Sequence, residues 1–441
     1  MLRRFLLAGT QVFGFQVLTA VSWLLITIII ARTLPAAELG IVLFFHSLSL
    51  SLGIVIMLGT GASALRFISG ARGAGDFVAA ATIVRRATVL SFILGAAFLA
   101  LAAILGQLGT GAMMARFPGL PDWGVHAALW VTAVALRMNA FELLIAEDRP
   151  LLAALHSGFG AAAMTAVALI AMLAVGAEVT LAAVMHLATG TAVLSAISAQ
   201  MNALRCAGKD VGMGAPHSSE VIPGVGVLLR VGFPIMISKA LSSRRKEILV
   251  IILAAVSSAE AVALLGLANQ VVQVIAMPII AVAVLIKPQI AKAGRNGDLA
   301  QNMQRIRSLW SLSVAPVIAI AALSALFAEP LALLAYGPGY GGVAALIVVS
   351  IIGRLVTVAA GPGPQTLMMT GHERALAAFS LLEIVPLVIL GAVLGSQFGA
   401  FGGAWAFTIT VTLMAVLYNV YIRLYLGFWI FAWVFPSSLK G

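Results

Sequence analysis

The chain has 441 residues, of which 62% are hydrophobic and only 9% charged, with a mean hydropathy of +1.11. A soluble domain is roughly half apolar and a quarter charged, so this composition could not cover a water-facing surface. The net charge of +11 sits in short basic clusters between apolar runs, a membrane-loop pattern that leaves no soluble face for nucleic acid.

Apolar runs of ~20 residues cross ~30 Å of hydrocarbon, and without water their backbone must bond to itself as helix. Twelve spans fit the sequence, at 8–31, 39–65, 87–108, 124–146, 152–175, 179–204, 226–256, 260–286, 308–328, 341–369, 376–397 and 399–424. The first run follows Met1-Leu2-Arg3-Arg4 and is too long for a signal-peptide core, so it reads as a retained helix. Arg66, Arg72, Arg85 and Arg86 follow the second span, Arg205 and Lys209 the sixth. Lys287, Lys292, Arg295, Arg305 and Arg307 follow the eighth. The opposite loops hold fewer cations: Arg32 with Glu38, Arg116 with Asp122, then Glu178, Glu260 and Glu329. Both termini are therefore expected in the cytoplasm. Glu147, Asp148 and Arg149, after the fourth span, run against that bias.

The two halves look related. A shift of 222 residues lays Ile29-Ile30 on Ile251-Ile252, Ala37-Glu38 on Ala259-Glu260, Gly75-Asp76 on Gly297-Asp298 and Arg85 on Arg307. At a shift of 225, Asp148-Arg149 meets Glu373-Arg374. Six spans separate the equivalents, so the repeat is parallel, with its axis along the membrane normal. The expected fold is all-α and membrane-integral: two pseudo-symmetric six-helix lobes, 1–208 and 226–424, around a central cavity. A cytoplasmic linker, 209–225, joins them, and a tail, 425–441, carries Phe428, Trp429 and Trp433, which suit a membrane interface.

The seventh span contains Arg244-Arg245-Lys246-Glu247. A charge at the bilayer centre costs ~2.5–3.5 kcal/mol, so four facing lipid would cost about 10 kcal/mol. They must line a watery cavity, pair with one another, or mark a helix end. A helix end would leave only 248–256 beyond it, too short to cross; the cavity is the reading adopted. Four consecutive residues fan around most of a helix, so some must pair or reach a neighbour. Arg137 and Glu142 in the fourth span, Arg230 and Lys239 in the seventh, Arg354 in the tenth and Glu383 in the eleventh are also embedded. Snorkelling or local pairing accounts for each singly. Together they are mostly basic, which suits an anion, above all a phosphate gripped by guanidinium forks.

Other residues are read as structural. His46, His126, His156, His186 and His372 lack metal spacing and read as packing or helix-end residues, and Cys206 has no metal-ligand neighbour. Gly391/Gly395 and Gly399/Gly403 fit close helix contact, and Pro234, Pro278, Pro316 and Pro386 fit bent spans. No GxxxxGK[ST] loop, HExxH or GxSxG is present, so neither ATP hydrolysis, a metal nor a cofactor is expected, and the chain is read as no enzyme.

Several segments carry a resemblance. Ile30-Ala31-Arg32-Thr33-Leu34-Pro35-Ala36-Ala37-Glu38-Leu39-Gly40 and Ala64-Leu65-Arg66-Phe67-Ile68 are similar to segments of the oligosaccharide flippases in the multidrug/oligosaccharidyl-lipid/polysaccharide (MOP) exporter superfamily. So are Leu229-Arg230-Val231-Gly232-Phe233-Pro234 and Tyr336-Gly337-Pro338-Gly339-Tyr340. Thr370-Gly371-His372-Glu373-Arg374 and Phe398-Gly399-Ala400-Phe401-Gly402-Gly403-Ala404 extend the likeness over nearly the whole chain. The resemblance implies twelve or fourteen helices, two lobes and alternating access. It also implies an undecaprenyl-pyrophosphate-linked glycan as cargo, moved from the cytoplasmic to the outer leaflet. Where such flippases often show an acidic-basic pair in the seventh span, this chain has Arg244-Arg245-Lys246-Glu247, changed in order and charge.

The expected function is export of a lipid-linked oligosaccharide across a bacterial inner membrane for surface polysaccharide, with a polymerase and glycosyltransferases as partners. Arg244, Arg245 and Lys246 are the first candidates to hold the diphosphate, beside Glu247, with Lys239, Arg137 and Arg354 as further members. Three alternatives stay open. A drug or cation antiporter of the same fold needs an acidic cavity, a peptidoglycan-precursor flippase shares the anionic cargo, and a membrane scaffold for glycan assembly needs no cavity at all.

Overall fold

The computed structural model describes residues 2–107, 123–211, 222–279 and 299–432, with scattered positions between 280 and 298. Arg116, Asp122, most of the linker, Lys287, Lys292, Arg295, Asp298 and Trp433 lie outside the described residues. Every regular element among the described residues is helical. Among the described residues nine helices are long and apolar enough to cross a membrane, ten if one sharply bent pair counts as a single span. Large apolar side chains point outward along them, Val167, Leu323 and Leu424 among the most exposed, as a lipid-facing exterior requires.

By packing, the chain falls into two compact units, Met1–Ile251 and Ile252–Gly441. The first contains α1 (Leu2–Thr33), α2 (Ala36–Ile56), α3 (Thr60–Gly73), α4 (Phe77–Gln107) and α5 (Gly124–Ala146). It continues through α6 (Pro150–Ala154), a π turn (Leu155–Phe159), α7 (Gly160–Ala174), α8 (Leu181–Asp210) and α9 (Val225–Ser243). The division falls inside α10 (Arg245–Val256). α5 is the hub of this unit, packed on α2, α3, α4 and α8. Its neighbours meet through small side chains, Ala64, Ala71, Ala80, Ala87, Ala203 and Ala207, interleaved with Ile68, Val84, Leu143 and Leu144. Small residues let helix backbones approach where lipid offers no hydrophobic drive.

The second unit holds α11 (Ala259–Ile275), α12 (Leu299–Leu326), α13 (Ala328–Tyr336), α14 (Gly342–Ala359), α15 (Gly363–Met369) and α16 (Glu373–Leu426). α14 packs on α11, α12 and α16. Trp310, fully buried, donates its indole N–H to the Val358 carbonyl at 2.9 Å. α16 has 54 residues and turns back on itself at Gly399, whose φ of 56 breaks the helix. A Cβ on Gly402 would overlap the Leu394 carbonyl, so the two arms fold against each other there. Gly395 and Gly403 of the glycine motifs lie against Leu253, close enough that a methyl on Gly395 would stand 3.1 Å away.

The spans are less continuous than their apolarity suggests. The second, expected at 39–65, breaks at Leu58 (φ 47) and Gly59 (φ 73) between α2 and α3. The fifth carries the π turn around Gly158 (φ 154), and the tenth, expected at 341–369, breaks at Gly361 (φ 82) and Pro362. The largest correction concerns the seventh. It is not one helix over 226–256: α9 ends at Ser243, α10 starts at Arg245, and the two are bent by 68°.

Candidate functional site

The break in the seventh span falls on the charged run itself. Arg244 is the residue between the helices, with φ −118 and ψ 22, and Arg245, Lys246 and Glu247 form the first turn of α10. Hydrated charges compete with helix continuity in a low-dielectric layer, and a helix end brings them together where a mid-helix position would fan them apart. The helix-end alternative thus describes the local geometry, and the single continuous span does not. Arg244 Nη1 stands 3.5 Å from Glu247 Oε1, and its Nε is buried with no hydrogen-bond partner. Arg245, Lys246 and Glu247 are half-buried.

Two further candidates join this run in the same unit. Lys239, on α9 just before the break, pairs with Glu142 of α5, with side chains 45% and 23% exposed. Gly61 of α3 lets α5 come close at that point, for a Cβ there would be 3.2 Å from Glu142 Cβ. α9 is held in place by another backbone approach: a Cβ on Gly232 would lie 2.7 Å from the carbonyl oxygens of Leu58 and Gly59. The left-handed break after α2 and the glycine of the Leu229–Pro234 motif therefore exist for each other. Arg137 lies on α5, 7% exposed, within the electrostatic field of Arg244.

Arg137, Lys239, Arg244, Arg245, Lys246 and Glu247 all fall in the unit Met1–Ile251, with Lys239 of α9 joined to Glu142 of α5 and the run from Arg244 at the α9–α10 break. Arg354 lies on α14 of the other unit, half-buried. Arg230, also on α9, is exposed, and Glu383 of α16 is buried at 2%. Sequence reasoning flagged Glu142 as embedded without giving it a role; its partner is 97 positions away, and only the packing of α9 on α3 brings Lys239 to it. Histidines read as packing residues do pack. His46 lies on Trp23 with ring centroids 3.8 Å apart, His126 on His186 at 4.6 Å, and His156 in the π turn meets Asn202 at 3.1 Å. No group of three or more potential metal ligands occurs among the described residues.

The chain matches no family profile and no curated protein. Solved structures do match over nearly its full length. An inward-facing multidrug resistance MATE family transporter of the MOP superfamily aligns with a TM-score of 0.73 at 16% identity, covering 93% of this chain and 94% of that one. The lipid II flippase MurJ, inward closed, aligns at 0.69 with 10% identity over 95% and 87% of the two chains. A MOP superfamily transporter from Pyrococcus furiosus aligns at 0.63 with 15% identity over 95% and 94%, and its binding pocket is described as reversed in polarity. These likenesses establish a shared fold. The chain has the architecture of MOP superfamily transporters.

Proposed function

We propose that the chain is a flippase that moves an undecaprenyl-pyrophosphate-linked oligosaccharide from the cytoplasmic to the outer leaflet of a bacterial inner membrane, by alternating access. The supporting observation is the polarity of the cluster at the α9–α10 break. Three cations, Arg244, Arg245 and Lys246, follow one another there, with Arg137 of α5 in the field of Arg244, while Glu142 is taken by Lys239 and Glu247 lies against Arg244. A cation-exporting pocket needs the opposite sign. Sugar hydroxyls cannot cross bare hydrocarbon, since each unpaired one costs several kcal/mol. In this reading the glycan and diphosphate enter a solvated vestibule while the prenyl tail stays in lipid.

Arg244, Arg245 and Lys246 hold the diphosphate, with Glu247 orienting Arg244, and Lys239 and Arg137 form the outer set. A half-helix beginning at these residues adds its positive dipole end to the same field. An inside-negative potential favours outward movement of the anion by ~2.3 kcal/mol per charge per 100 mV. The reading carries no enzymatic step, places both termini in the cytoplasm, and makes a polymerase and glycosyltransferases for surface polysaccharide the working partners. Replacing both Arg244→Gln and Arg245→Gln is expected to abolish glycan export with membrane levels intact; unchanged export would remove them from the site.

The fold shared with a lipid II flippase favours a second reading, a peptidoglycan-precursor flippase, because that cargo too is a lipid-linked sugar. Depletion separates the two. Lysis on depletion selects the peptidoglycan precursor, and loss of a surface polymer with continued growth selects the oligosaccharide.

A further inference from the structure

Two ion pairs fasten neighbouring helices to α5 in unit Met1–Ile251, and they differ in solvation. Glu147, just past the end of α5, holds Arg72 of α3 at 2.9 Å with its own side chain fully buried. Opening that pair would strand a dry charge, so it acts as a fixed strut. Glu142 of α5 and Lys239 of α9 keep side-chain exposures of 23% and 45%. A charge left against lipid is costly, so the open side of this pair meets water, and water can take up either group when the two part.

α9 is held unevenly along its length. Near its start Leu228 is fully buried in the cluster that contains Ala80, Leu143 and Ala207, and Gly232 meets the carbonyls of Leu58 and Gly59. Pro234 follows inside the helix and, lacking an N–H, cannot donate to the Arg230 carbonyl one turn back. Beyond it, residues 235–243 run to the 68° bend. This short rod thus lies between two breaks. Met236 on it is 6% exposed, and Lys239 ties it to α5 through the solvated pair.

We propose that the Lys239–Glu142 pair is a releasable latch: closed, it keeps residues 235–243 docked, and an anion that draws Lys239 from Glu142 frees them to swing about Pro234. Arg244, where the basic run begins, follows Lys239 by less than two helical turns. An anion held at that run therefore competes with Glu142 for the Lys239 ammonium. The proposal rests on the reading of the run as an anion site. It makes the start of α9 the anchor, Pro234 the hinge and Glu142 the stand-in for the ligand.

The test is maleimide labelling of the purified full chain in detergent, with Cys206→Ser removing the native thiol and Met236→Cys reporting on the rod. Labelling should be slow in this parent and about fivefold faster with Glu142→Gln or Lys239→Gln, the equivalent of ~1 kcal/mol for a partly solvated pair. Both changes together should be no faster than either alone. The charge swap, Glu142→Lys with Lys239→Glu, should restore slow labelling, which a merely steric role would not. Sodium pyrophosphate should speed the parent saturably over sodium chloride at matched ionic strength, and lose that effect in Lys239→Gln. Leu228→Cys, on the anchored half, should stay slow throughout. Equal rates in the parent and Glu142→Gln overturn the latch, and so does a Leu228→Cys rate that rises in step with Met236→Cys. A pyrophosphate effect that is absent, or that survives Lys239→Gln, overturns the anion as its trigger. If Glu142→Gln does not fold, the pyrophosphate response of the parent decides. None of these outcomes alters the export defect expected of Arg244→Gln with Arg245→Gln, so the two readings fail separately.

Discussion

Two stretches that the 222-residue shift makes equivalent behave differently. α1 runs unbroken through Ala20-Val21-Ser22-Trp23-Leu24-Leu25, and its one polar side chain there, Ser22, bonds back to the Leu18 carbonyl at 2.9 Å. The seventh span has Ser242-Ser243-Arg244-Arg245-Lys246-Glu247 at the same place and bends by 68°. A hydroxyl satisfies itself within its own helix turn, while four formal charges cannot. The bend is thus the local answer to a desolvation problem, and it brings the charges together at a helix end.

The largest effect expected comes from moving the block. Ser22→Arg, Trp23→Arg, Leu24→Lys and Leu25→Glu together place about 10 kcal/mol of insertion cost in α1, by adding ~2.5–3.5 kcal/mol per charge. Protease protection of the first loop should show that α1 fails to insert or breaks as the seventh span does. An intact, continuous α1 would sink the desolvation argument. Next comes Gly232→Ala, whose methyl would meet two carbonyl oxygens at 2.7 Å. Overpacking of this kind costs typically 1–3 kcal/mol, and here the clash is with backbone, so ~3 kcal/mol is expected as a lowered unfolding midpoint. A midpoint unchanged from the parent would show that α9 is free to shift away from the α2–α3 break. The smallest effect belongs to the Lys239–Glu142 pair. Because its side chains are partly solvated, a double-mutant cycle with Glu142→Gln and Lys239→Gln should return a coupling of ~1 kcal/mol. A value well above that would mean that the pair is dry.

The helical membrane architecture was legible in the sequence because its signal is long: each apolar run exceeds 17 residues, and no soluble alternative survives the 9% charge content. The breaks were not. Gly59, Gly158 and Gly361 are three among 43 glycines, and nothing local marks which of them adopts a positive φ, since that depends on what backbone comes near. The charged block was visible as costly, but its placement between two helices was not, because residue types report the penalty and not how the chain relieves it. Pairings were hidden for a simpler reason. Arg72 and Glu147 are 75 positions apart, and their 2.9 Å contact gives the acid after the fourth span a basic partner from the last turn of α3.

The break in the tenth span is closed by residues from far along the chain. Asn419 donates to the Ala360 carbonyl and accepts from the Ile430 amide, Ala432 donates to Ala359, and a Cβ on Gly361 would overlap the Ile430 carbonyl. During synthesis, α14 and α15 emerge well before their clasp exists, leaving unmet peptide groups at the break that other machinery must shelter. The chain can therefore close this break only once Ile430 has been made.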